Sequence, residues 1–298
     1  MDRRTFLCGA ALALLGCRTH TGGITVGSKN FTEQLILGEL LAQYLDALRI
    51  APVDRRFYLA GTYICQQALL AGRIDLYVEY TGTALAAVLK ENIPADHSQV
   101  QEIVRRLYAE RFGLHVMPSL GFDNSFAIVI RGDDARRLGL TKLSQLGPAS
   151  PQLRMGVGYE FLERQDGYKG LVQTYGLNFR EQPRVMDLGL LYRALESKQV
   201  DVIAGANTDG LIAAMGLVVL EDDRHYFPPY EAVPIVRGQT LQRYSGLGPG
   251  LERLHGTISA LEMRSMNFEV DGKKRDAAAV AREFLTRKGL LQQSSSGQ

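Results

Sequence analysis

One arrangement of residues occurs twice in this chain and constrains its fold more than any other feature. In "ALLAGRIDLYVEYTGT" and "ALESKQVDVIAGANTD", a helix end and a polar turn lead through an Ile/Val-Asp pair into a hydrophobic strand and a polar loop. Asp75 and Asp201 are 126 positions apart, and at the same offset Tyr80 corresponds to Ala206. Two similar α/β halves would bring these loops to a shared ligand site, because open α/β sheets bind ligands at the carboxyl ends of their strands. The alternative, that such units look alike in any α/β protein, stays open on the echo alone.

From Ile24 onward, short β-rich runs alternate with amphipathic stretches, which is typical of an α/β protein. The strand-like runs are "ITVGS", "RFYLA", "IDLYV", "FAIVIR", "RMGVG", "VDVIAG", "LVVLE" and "AVPIVR". Apolar residues at helical spacing predict helices over Thr32–Leu48, Thr62–Ala71, Ser98–Phe112, Glu160–Tyr175, Leu188–Ser197, Leu251–Ala260 and Ala277–Lys288. Thr32 is the expected N-cap of the first helix.

The size and charge of the chain exclude some classes of protein. Its 298 residues are enough for one large domain or two of ordinary size, and 46% of them are hydrophobic. With 34 Lys and Arg against 32 Asp and Glu, the net charge is only +2, and no block of five basic residues occurs. We therefore expect no nucleic-acid partner.

The N-terminus has the pattern of an export signal. "MDRRTFLCGAALALLGC" has a basic start and an apolar run from Phe6 to Leu15, which is too short to span a bilayer. "LLGC" resembles a bacterial lipobox, in which residues 1–16 are removed and Cys17 is lipidated; the alternative is a retained hydrophobic helix. Arg3-Arg4 also resembles the twin-arginine pattern, so the export route stays open. We expect an exported lipoprotein, periplasmic or on the cell surface, held at a bacterial membrane by its lipid.

Signatures of catalysis are missing from the sequence. The five histidines are scattered, none at metal-ligand spacing, and neither a G-x-S-x-G elbow nor a phosphate-binding P-loop occurs. "GLGPG" at Gly246–Gly250 is predicted to be a turn. Cys65, at helical spacing, is expected to be a buried small hydrophobe. We therefore predict a protein that is not an enzyme and has no cofactor and no metal.

Four stretches are polar or aromatic where loops are expected: "GSKNFTE", "EYTGT", "FLERQDGY" and "HYFPPYEAVP". With their flanks, "VGSKNFTEQLILGELLAQYL", "AGRIDLYVEYTGTAL", "ERQDGYKGLVQTYGLNF" and "TDGLI…YFPPYEAVPIVR", they resemble the substrate-binding proteins of ABC importers for glycine betaine, choline, carnitine and related osmoprotectants. The resemblance extends from about Ile24 to Leu291.

This resemblance implies a type II periplasmic-binding-protein fold, with two α/β lobes that close on a ligand. Lobe I would comprise residues 24–127 and 231–298, and lobe II residues 128–230. The hinge would be the two crossover strands "SFAIVIR" and "AVPIVR". The implied partners are a small quaternary-ammonium or zwitterionic solute and the permease and ATPase subunits of the importer.

The chemistry of such a ligand sets the requirements of its site. A quaternary ammonium has no N–H, so hydrogen bonds cannot capture it, whereas each aromatic face contributes about 0.5–2 kcal/mol once water is excluded. A ligand carboxylate needs a fixed cationic fork, which arginine provides.

The family's site residues correspond to particular positions here. Tyr80 and Tyr230 match aromatic cage residues, and Thr83 matches a polar contact beside the first of them. Phe126 stands where relatives commonly have tyrosine, so it keeps the ring without the hydroxyl. Arg164 matches the arginine that holds the ligand carboxylate. Lys29 matches a position that contacts the ligand or bridges the lobes.

The chain departs from the family pattern in "AGANTDG". Relatives that bind betaine tightly usually have an aromatic residue at the position of Ala206, so one wall of the cage is missing. Asn207 could add a donor and an acceptor there. We therefore expect weaker betaine binding or a bulkier, more polar ligand, such as an ergothioneine-like or amino-acid-derived zwitterion. A binding module that signals instead of transporting is the other alternative.

Overall fold

The structure is a computed structural model, and it describes residues 22–94 and 96–291, apart from the side chain at position 97. The predicted leader (residues 1–16) and the predicted lipidation residue Cys17 lie outside the described residues. Within the described part of the chain, no helix is long and apolar enough to cross a membrane.

The strands and helices alternate along the chain as predicted. The strands are β1 (Ile24–Lys29), β2 (Val53–Leu59), β3 (Leu76–Tyr80), β4 (Leu114–Val116), β5 (Phe126–Arg131), β6 (Met155–Val157), β7 (Arg184–Val185), β8 (Val202–Ala206), β9 (Leu217–Leu220) and β10 (Ala232–Arg237). The helices are α1 (Thr32–Leu48), α2 (Thr62–Leu70), α3 (Thr81–Thr83, continued by a π-helical segment, Ala84–Leu89), α4 (Val100–Phe112), α5 (Gly132–Leu138), α6 (Tyr159–Glu163), α7 (Tyr168–Tyr175), α8 (Leu188–Glu196), α9 (Leu211–Ala214), α10 (Gly238–Arg243), α11 (Leu247–Glu252), α12 (Ala260–Asp271) and α13 (Ala277–Arg287). Short 3₁₀ segments occupy His97–Gln99, Leu143–Gln145 and Ser150–Gln152.

The strands form two five-stranded sheets with the same layout. The first sheet has the order β2-β1-β3-β10-β4 and the second has the order β7-β6-β8-β5-β9. In each sheet the fourth strand, β10 or β5, is antiparallel to both of its neighbours, while the first three strands are parallel. We call the part with the first sheet lobe I and the part with the second sheet lobe II.

The repeated Asp residues occupy equivalent places in the two sheets. Asp75 precedes β3 and accepts a hydrogen bond from the Thr25 amide at 2.8 Å, and Arg237 at the end of β10 lies 3.5 Å from it. Asp201 precedes β8 and accepts one from the Arg154 amide at 3.0 Å, and Arg131 at the end of β5 lies 2.8 Å from it. The sequence echo therefore marks a structural repeat.

Two segments connect the lobes, and they run side by side. Asp123 and Glu231 form an antiparallel bridge between them. The Asn124 amide donates to the Tyr230 carbonyl at 3.0 Å, and the amide of Ala232 donates to the carbonyl of residue 122 at the same distance. These segments lead into β5 and β10, so the predicted two-lobed α/β architecture with two crossover strands is confirmed. The predicted lobe boundary at 127/128 falls inside β5, and the boundary at 230/231 precedes β10.

The central strands are buried on both faces, as expected for sheets covered by helices. Every residue of β1 and β3 is buried, and the apolar face of α1 packs on the first sheet and on α12 and α13. Cys65 is fully buried in lobe I, and burial raises the pKa of its thiol to about 12, so it is an unreactive core residue as predicted.

One predicted helix is broken where the sequence is polar. Residues 160–175 form two helices, α6 and α7, because the chain turns at Arg164–Gly167. A Cβ on Gly167 would lie 2.0 Å from the Phe161 carbonyl oxygen, so this close turn requires glycine. The interruption places the side chain of Arg164 in the interior instead of on a helix surface.

Three local predictions were wrong. "GLGPG" is not a turn but opens α11, where Pro249 occupies the first turn and needs no amide partner. The predicted helix Leu251–Ala260 does not form: α11 ends at Glu252 and α12 begins only at Ala260. The start of α12 is fixed by a capping box of Ser259 and Glu262. Thr32 is the first residue of α1 and not its N-cap; its hydroxyl donates to Asp271 at 2.6 Å.

Candidate functional site

A cleft of about 650 Å³ lies between the lobes at the carboxyl ends of their central strands. Lys29, Tyr80 and Ala206 end β1, β3 and β8, and their side chains or backbones line it. The aromatic lining residues are Phe31, Tyr58, Tyr80, Phe126, Tyr159, Phe161, Tyr192 and Tyr230. The acidic ones are Glu33, Glu160, Asp187, Glu196, Asp209 and Asp271, and the basic ones are Lys29, Arg164, Arg193 and Lys274.

Lys29 and Glu79 form a buried ion pair behind Tyr80. Lys29 Nζ donates to Glu79 Oε1, and the two residues are 3% and 0% exposed. Glu79 Oε2 accepts a second hydrogen bond, from the Tyr77 hydroxyl at 3.1 Å. The Lys29 ammonium also lies 4.9 Å from the centroid of the Tyr80 ring. Lys29 therefore supports Tyr80 and neutralises Glu79, and its charge is already paired before any ligand enters.

Glu33 is a buried carboxylate bound by four neutral donors. It accepts from the hydroxyl of Tyr80 at 2.6 Å, the amide of Asn124 at 2.7 Å, the hydroxyl of Thr208 at 2.6 Å and the amide of Asn267 at 3.0 Å. Burial raises the pKa of Glu33, and these hydrogen bonds partly oppose the rise. Because Thr208 belongs to lobe II, Glu33 ties the two lobes together.

Arg164 lies buried at the opposite wall with a fixed orientation. Its Nε and Nη2 donate to the two oxygens of Asp166 at 2.8 and 2.5 Å, and its Nη1 donates to the Thr83 hydroxyl of lobe I at 2.9 Å. Its guanidinium carbon lies 4.8 Å from the Phe126 ring centroid and 5.7 Å from that of Tyr230. Burial lowers the pKa of Arg164, but the charge of Asp166 outweighs this and raises it, so the guanidinium stays charged.

The rings of Phe126 and Tyr230 form one aromatic cluster beside Arg164. Their centroids are 5.6 Å apart in an edge-to-face arrangement, and Phe161 lies 4.8 Å from Phe126. The Tyr230 hydroxyl donates to Asp166 Oδ2 at 2.5 Å. A Cβ on Gly82 would lie 2.7 Å from the Tyr230 ring, so the tight "YTGT" turn brings lobe I close to this ring.

Ala206 lies next to Phe126 in the lobe II sheet, since the two are register partners on the adjacent strands β8 and β5. The amide of Ala206 donates to Asp209 Oδ2 at 3.0 Å, and the Tyr192 hydroxyl donates to the same oxygen at 2.5 Å. Burial raises the pKa of Asp209 to about 6; the hydrogen bonds from Tyr192 and the Ala206 amide oppose the rise, and the charge of Glu33 adds to it.

Asn207 is not among the residues that line the cleft. Its backbone bridges other parts of the chain: its amide donates to the Ser125 carbonyl at 3.0 Å, and its carbonyl accepts from Arg264 Nε at 2.8 Å. Its side-chain oxygen is buried and accepts no hydrogen bond from the described residues. The polar group beside Ala206 is supplied by Asp209 instead.

Glu160 makes another contact between the lobes. Its Oε1 accepts from the Thr62 amide at 2.8 Å, at the N-terminus of α2 in lobe I. Gly61 precedes that helix and has no side chain to cap it. A carboxylate is favoured at a helix N-terminus, because unpaired amides and the helix dipole are positive there. Lobe II thus caps a helix of lobe I.

Seven of the eight predicted ligand-binding residues line the cleft: Lys29, Tyr80, Thr83, Phe126, Arg164, Ala206 and Tyr230. The carboxylates that position them and join the lobes were not predicted from the sequence: Glu33, Glu160, Asp166 and Asp209. Two of these, Glu33 and Asp166, lie inside the polar stretches "GSKNFTE" and "FLERQDGY". Nothing in the sequence marked Tyr192 as a site residue, because it fits the amphipathic pattern of α8.

Comparison with known proteins places this architecture in a family. The family described as the substrate-binding domain of the ABC-type glycine betaine transport system, OpuAC, matches residues 22–287. The carnitine transport binding protein OpuCC of Listeria monocytogenes is 32% identical over 292 residues, which cover 96% of this chain and 93% of that protein. The ergothioneine transport permease/ergothioneine binding protein EgtU of Helicobacter pylori is 34% identical over 90% of this chain, but the chain spans only 48% of EgtU.

Solved structures agree with this assignment. The crystal structure of a glycine betaine/carnitine/choline ABC transporter is 32% identical and has a TM-score of 0.74, covering 90% of this chain and 99% of the other. The closed, liganded lactococcal OpuAC has a TM-score of 0.63 at 12% identity, which supports the fold alone. The predicted type II periplasmic-binding-protein fold is confirmed, and the chain belongs to the OpuAC family of substrate-binding domains of ABC-type glycine betaine transport systems.

Proposed function

We propose that this protein is the extracytoplasmic solute-binding component of an ABC importer and captures a quaternary-ammonium zwitterion between its lobes. One observation carries the proposal: in a single cleft, several aromatic rings and acidic groups lie near a buried arginine with a fixed orientation. This combination matches a solute with a cationic end and an anionic end.

The cationic end of the solute would lie among the rings of Tyr80, Phe126 and Tyr230. A quaternary ammonium is attracted to aromatic faces, and three such contacts supply roughly half of the ~8 kcal/mol that micromolar affinity requires. Carboxylates outnumber basic residues in the lining, which favours a cation further. The cations Lys29 and Arg164 already stack on these rings, so the ligand would use the remaining ring surface.

The anionic end of the solute would bind Arg164. An arginine side chain has five N–H groups. Three of those of Arg164, one on each nitrogen, donate to Asp166 and Thr83, which leaves two for a ligand. The fork with Asp166 fixes the guanidinium plane, so little entropy is lost when a carboxylate binds. Thr83, which already accepts from Arg164, lies beside this end of the cleft.

Hinge closure would couple ligand binding to transport. Contacts between the lobes, such as Glu33 with Thr208, Arg164 with Thr83 and Glu160 with the Thr62 amide, would be lost if the lobes moved apart. A ligand held by both lobes adds to these contacts and shifts the population toward the closed state. The closed protein would then deliver the solute to the permease and ATPase subunits.

The place of action would be outside the cytoplasmic membrane. The leader and lipobox predicted around Cys17 fit an exported lipoprotein, periplasmic or at the cell surface. The relatives named above are transport proteins and not enzymes, which supports a non-catalytic role. A bulkier zwitterion than glycine betaine is the second candidate, because Ala206 leaves the cage short of a wall and one relative is named for ergothioneine.

Calorimetric titration of the chain without its leader tests this proposal. The ligands are glycine betaine, choline, carnitine, proline betaine and ergothioneine, with glycine as a control that lacks the quaternary ammonium. We expect saturable binding of at least one zwitterion and none of glycine. If none of the five ligands binds, the proposed ligand class is wrong.

A further inference from the structure

Much of the lining of the cleft belongs to lobe II around Ala206. We call this part the Ala206 compartment, and it is lined by Leu188, Leu191, Tyr192, Ala204, Gly205, Ala206, Asp209, Leu211 and Met215. The end of β8 consists of the two small residues Gly205 and Ala206, so neither brings a bulky side chain toward the aromatic cage. The polar side-chain groups among these residues are the Asp209 carboxylate and the Tyr192 hydroxyl.

The carboxylate of Asp209 is held rigidly at one oxygen only. The Tyr192 hydroxyl and the Ala206 amide both donate to Oδ2, at 2.5 and 3.0 Å. Oδ1 accepts no hydrogen bond from the described residues, and Asp209 lines the cleft. This carboxylate therefore offers a free acceptor at a fixed place beside the aromatic cage.

The surroundings of Asp209 contain negative charge and no pairing cation. No lysine or arginine of the described residues forms an ion pair with it, although Arg193 and Lys274 also line the cleft. The carboxylates of Glu33 and Asp271 are close enough to act on it. An unpaired carboxylate in such a field is stabilised by a ligand that brings an N–H donor or a positive charge.

We propose that the Ala206 compartment binds an N–H-bearing side chain of the solute, so that this protein prefers betaines of heteroaromatic or basic amino acids over glycine betaine and carnitine. The inference rests on the proposed function, since it requires the ammonium among the rings and the carboxylate at Arg164. The apolar walls then cover the carbon atoms of the side chain, and Asp209 Oδ1 accepts from its N–H. Glycine betaine and carnitine have no nitrogen donor to place there.

Three N-trimethylated amino acids of graded side chain separate size from hydrogen bonding. Glycine betaine has no side chain, phenylalanine betaine has a ring without N–H, and histidine betaine has a ring with N–H. We expect calorimetry to give histidine betaine an affinity at least tenfold above both others, because a hydrogen bond to a charged carboxylate is stronger than one between neutral groups. Equal affinities of the histidine and phenylalanine betaines would overturn the role of Asp209.

Variants test the same point within the protein. Asp209→Asn should lower the ratio of histidine betaine to glycine betaine affinity about tenfold, whereas the exposed Asp133→Asn should leave this ratio unchanged. If Asp209→Asn does not fold by circular dichroism, the comparison of histidine betaine with phenylalanine betaine in the wild-type protein decides the point. An unchanged ratio in folded Asp209→Asn would contradict the inference.

The two proposals fail in different ways. If glycine betaine binds tightly and histidine betaine does not, the compartment does not select for N–H groups and the proposed function stands. If no betaine of the series binds, and glycine betaine, choline, carnitine, proline betaine and ergothioneine also give no heat, the proposed ligand class is wrong and so is this inference.

Discussion

Phe126 and Ala206 are register partners in the lobe II sheet, and the equivalent pair in lobe I is Ala232 and Tyr80. Each lobe thus pairs one aromatic residue with one alanine. In lobe I the aromatic residue is on the third strand of the sheet, and in lobe II it is on the fourth. Side chains of paired residues lie on the same face of a sheet. The ring of Phe126 therefore borders the space that Ala206 leaves, and the two lobes present unequal walls to a ligand.

Adding a ring at Ala206 tests whether that space is a missing wall. We expect Ala206→Tyr to raise the affinity for glycine betaine about fivefold, because one cation–π contact is worth about 0.5–2 kcal/mol. Calorimetry at equal ionic strength measures the change, and Ala204→Val, in the same strand, controls for added bulk. An unchanged or lower affinity in folded Ala206→Tyr would mean that the cage does not include this position.

The fork of Arg164 should distinguish ligands with a carboxylate from those without. Arg164→Lys keeps the charge but loses the paired donors, so we expect affinity for carboxylate-bearing betaines to fall at least tenfold, and choline binding to fall less. The exposed Arg136→Lys is the matched control. Parallel losses for choline and the betaines would show that Arg164 acts only on the fold or on closure.

The cap that Glu160 provides across the lobes should favour the closed state. Glu160→Ala removes the acceptor of the Thr62 amide, and we expect ligand affinity to fall about threefold to tenfold, since one charge-assisted hydrogen bond is lost from the closed form. Small-angle scattering should also show a larger radius of gyration without ligand. Glu163→Ala, an exposed change in the same helix, should have neither effect; if Glu160→Ala equals it, the contact does not contribute to closure.

The buried pair of Lys29 and Glu79 should matter for stability. Glu79→Gln leaves the ammonium of Lys29 without a counter-charge, so we expect a loss of about 3–5 kcal/mol in the free energy of unfolding, measured with urea. The exposed Glu102→Gln, whose partner is Arg105, should change it by less than about 1 kcal/mol. If the two variants lose the same amount, the pair contributes no more than a surface pair.

The raised pKa of Asp209 gives a pH dependence with a definite sign. The folded protein holds this proton more tightly than the unfolded chain does, because burial raises the pKa from 3.8 to about 6. Stability from this group therefore increases as pH falls from above 6 toward 4. Between pH 7.5 and 5, wild type should gain roughly 1 kcal/mol relative to Asp209→Asn in urea unfolding. A gain of the opposite sign would show that Asp209 is stabilised as the carboxylate.

The repeated Asp75 and Asp201 layout suggested two similar α/β halves, because a strand's position is set by local pattern and by its neighbours in sequence. The carboxylate network could not be predicted in the same way. Glu33 and Thr208 are 175 positions apart, so their hydrogen bond depends on how two lobes meet. Arg164 was expected in an unbroken helix, and only the turn before Gly167 brings it into the interior.

The resemblance supplied the site residues, and the fold explains why most of them meet. Tyr80 and Ala206 end equivalent strands, so both reach the cleft, as the offset between them suggested. Asn207 follows Ala206 directly, yet it does not line the cleft, because its backbone is bound by Ser125 and Arg264. A residue next to a cleft residue in sequence therefore need not line the cleft once the strand has ended and the chain turns.

The orientation of a bound ligand is the most direct test of the account. In a crystal structure of this protein with the zwitterion that binds most tightly, we expect the quaternary nitrogen within about 6 Å of the ring centroids of Tyr80, Phe126 or Tyr230. We expect the ligand carboxylate within about 3 Å of the Arg164 nitrogens. A ligand bound outside the cleft, or one with its ammonium group away from these rings, would contradict the proposed function.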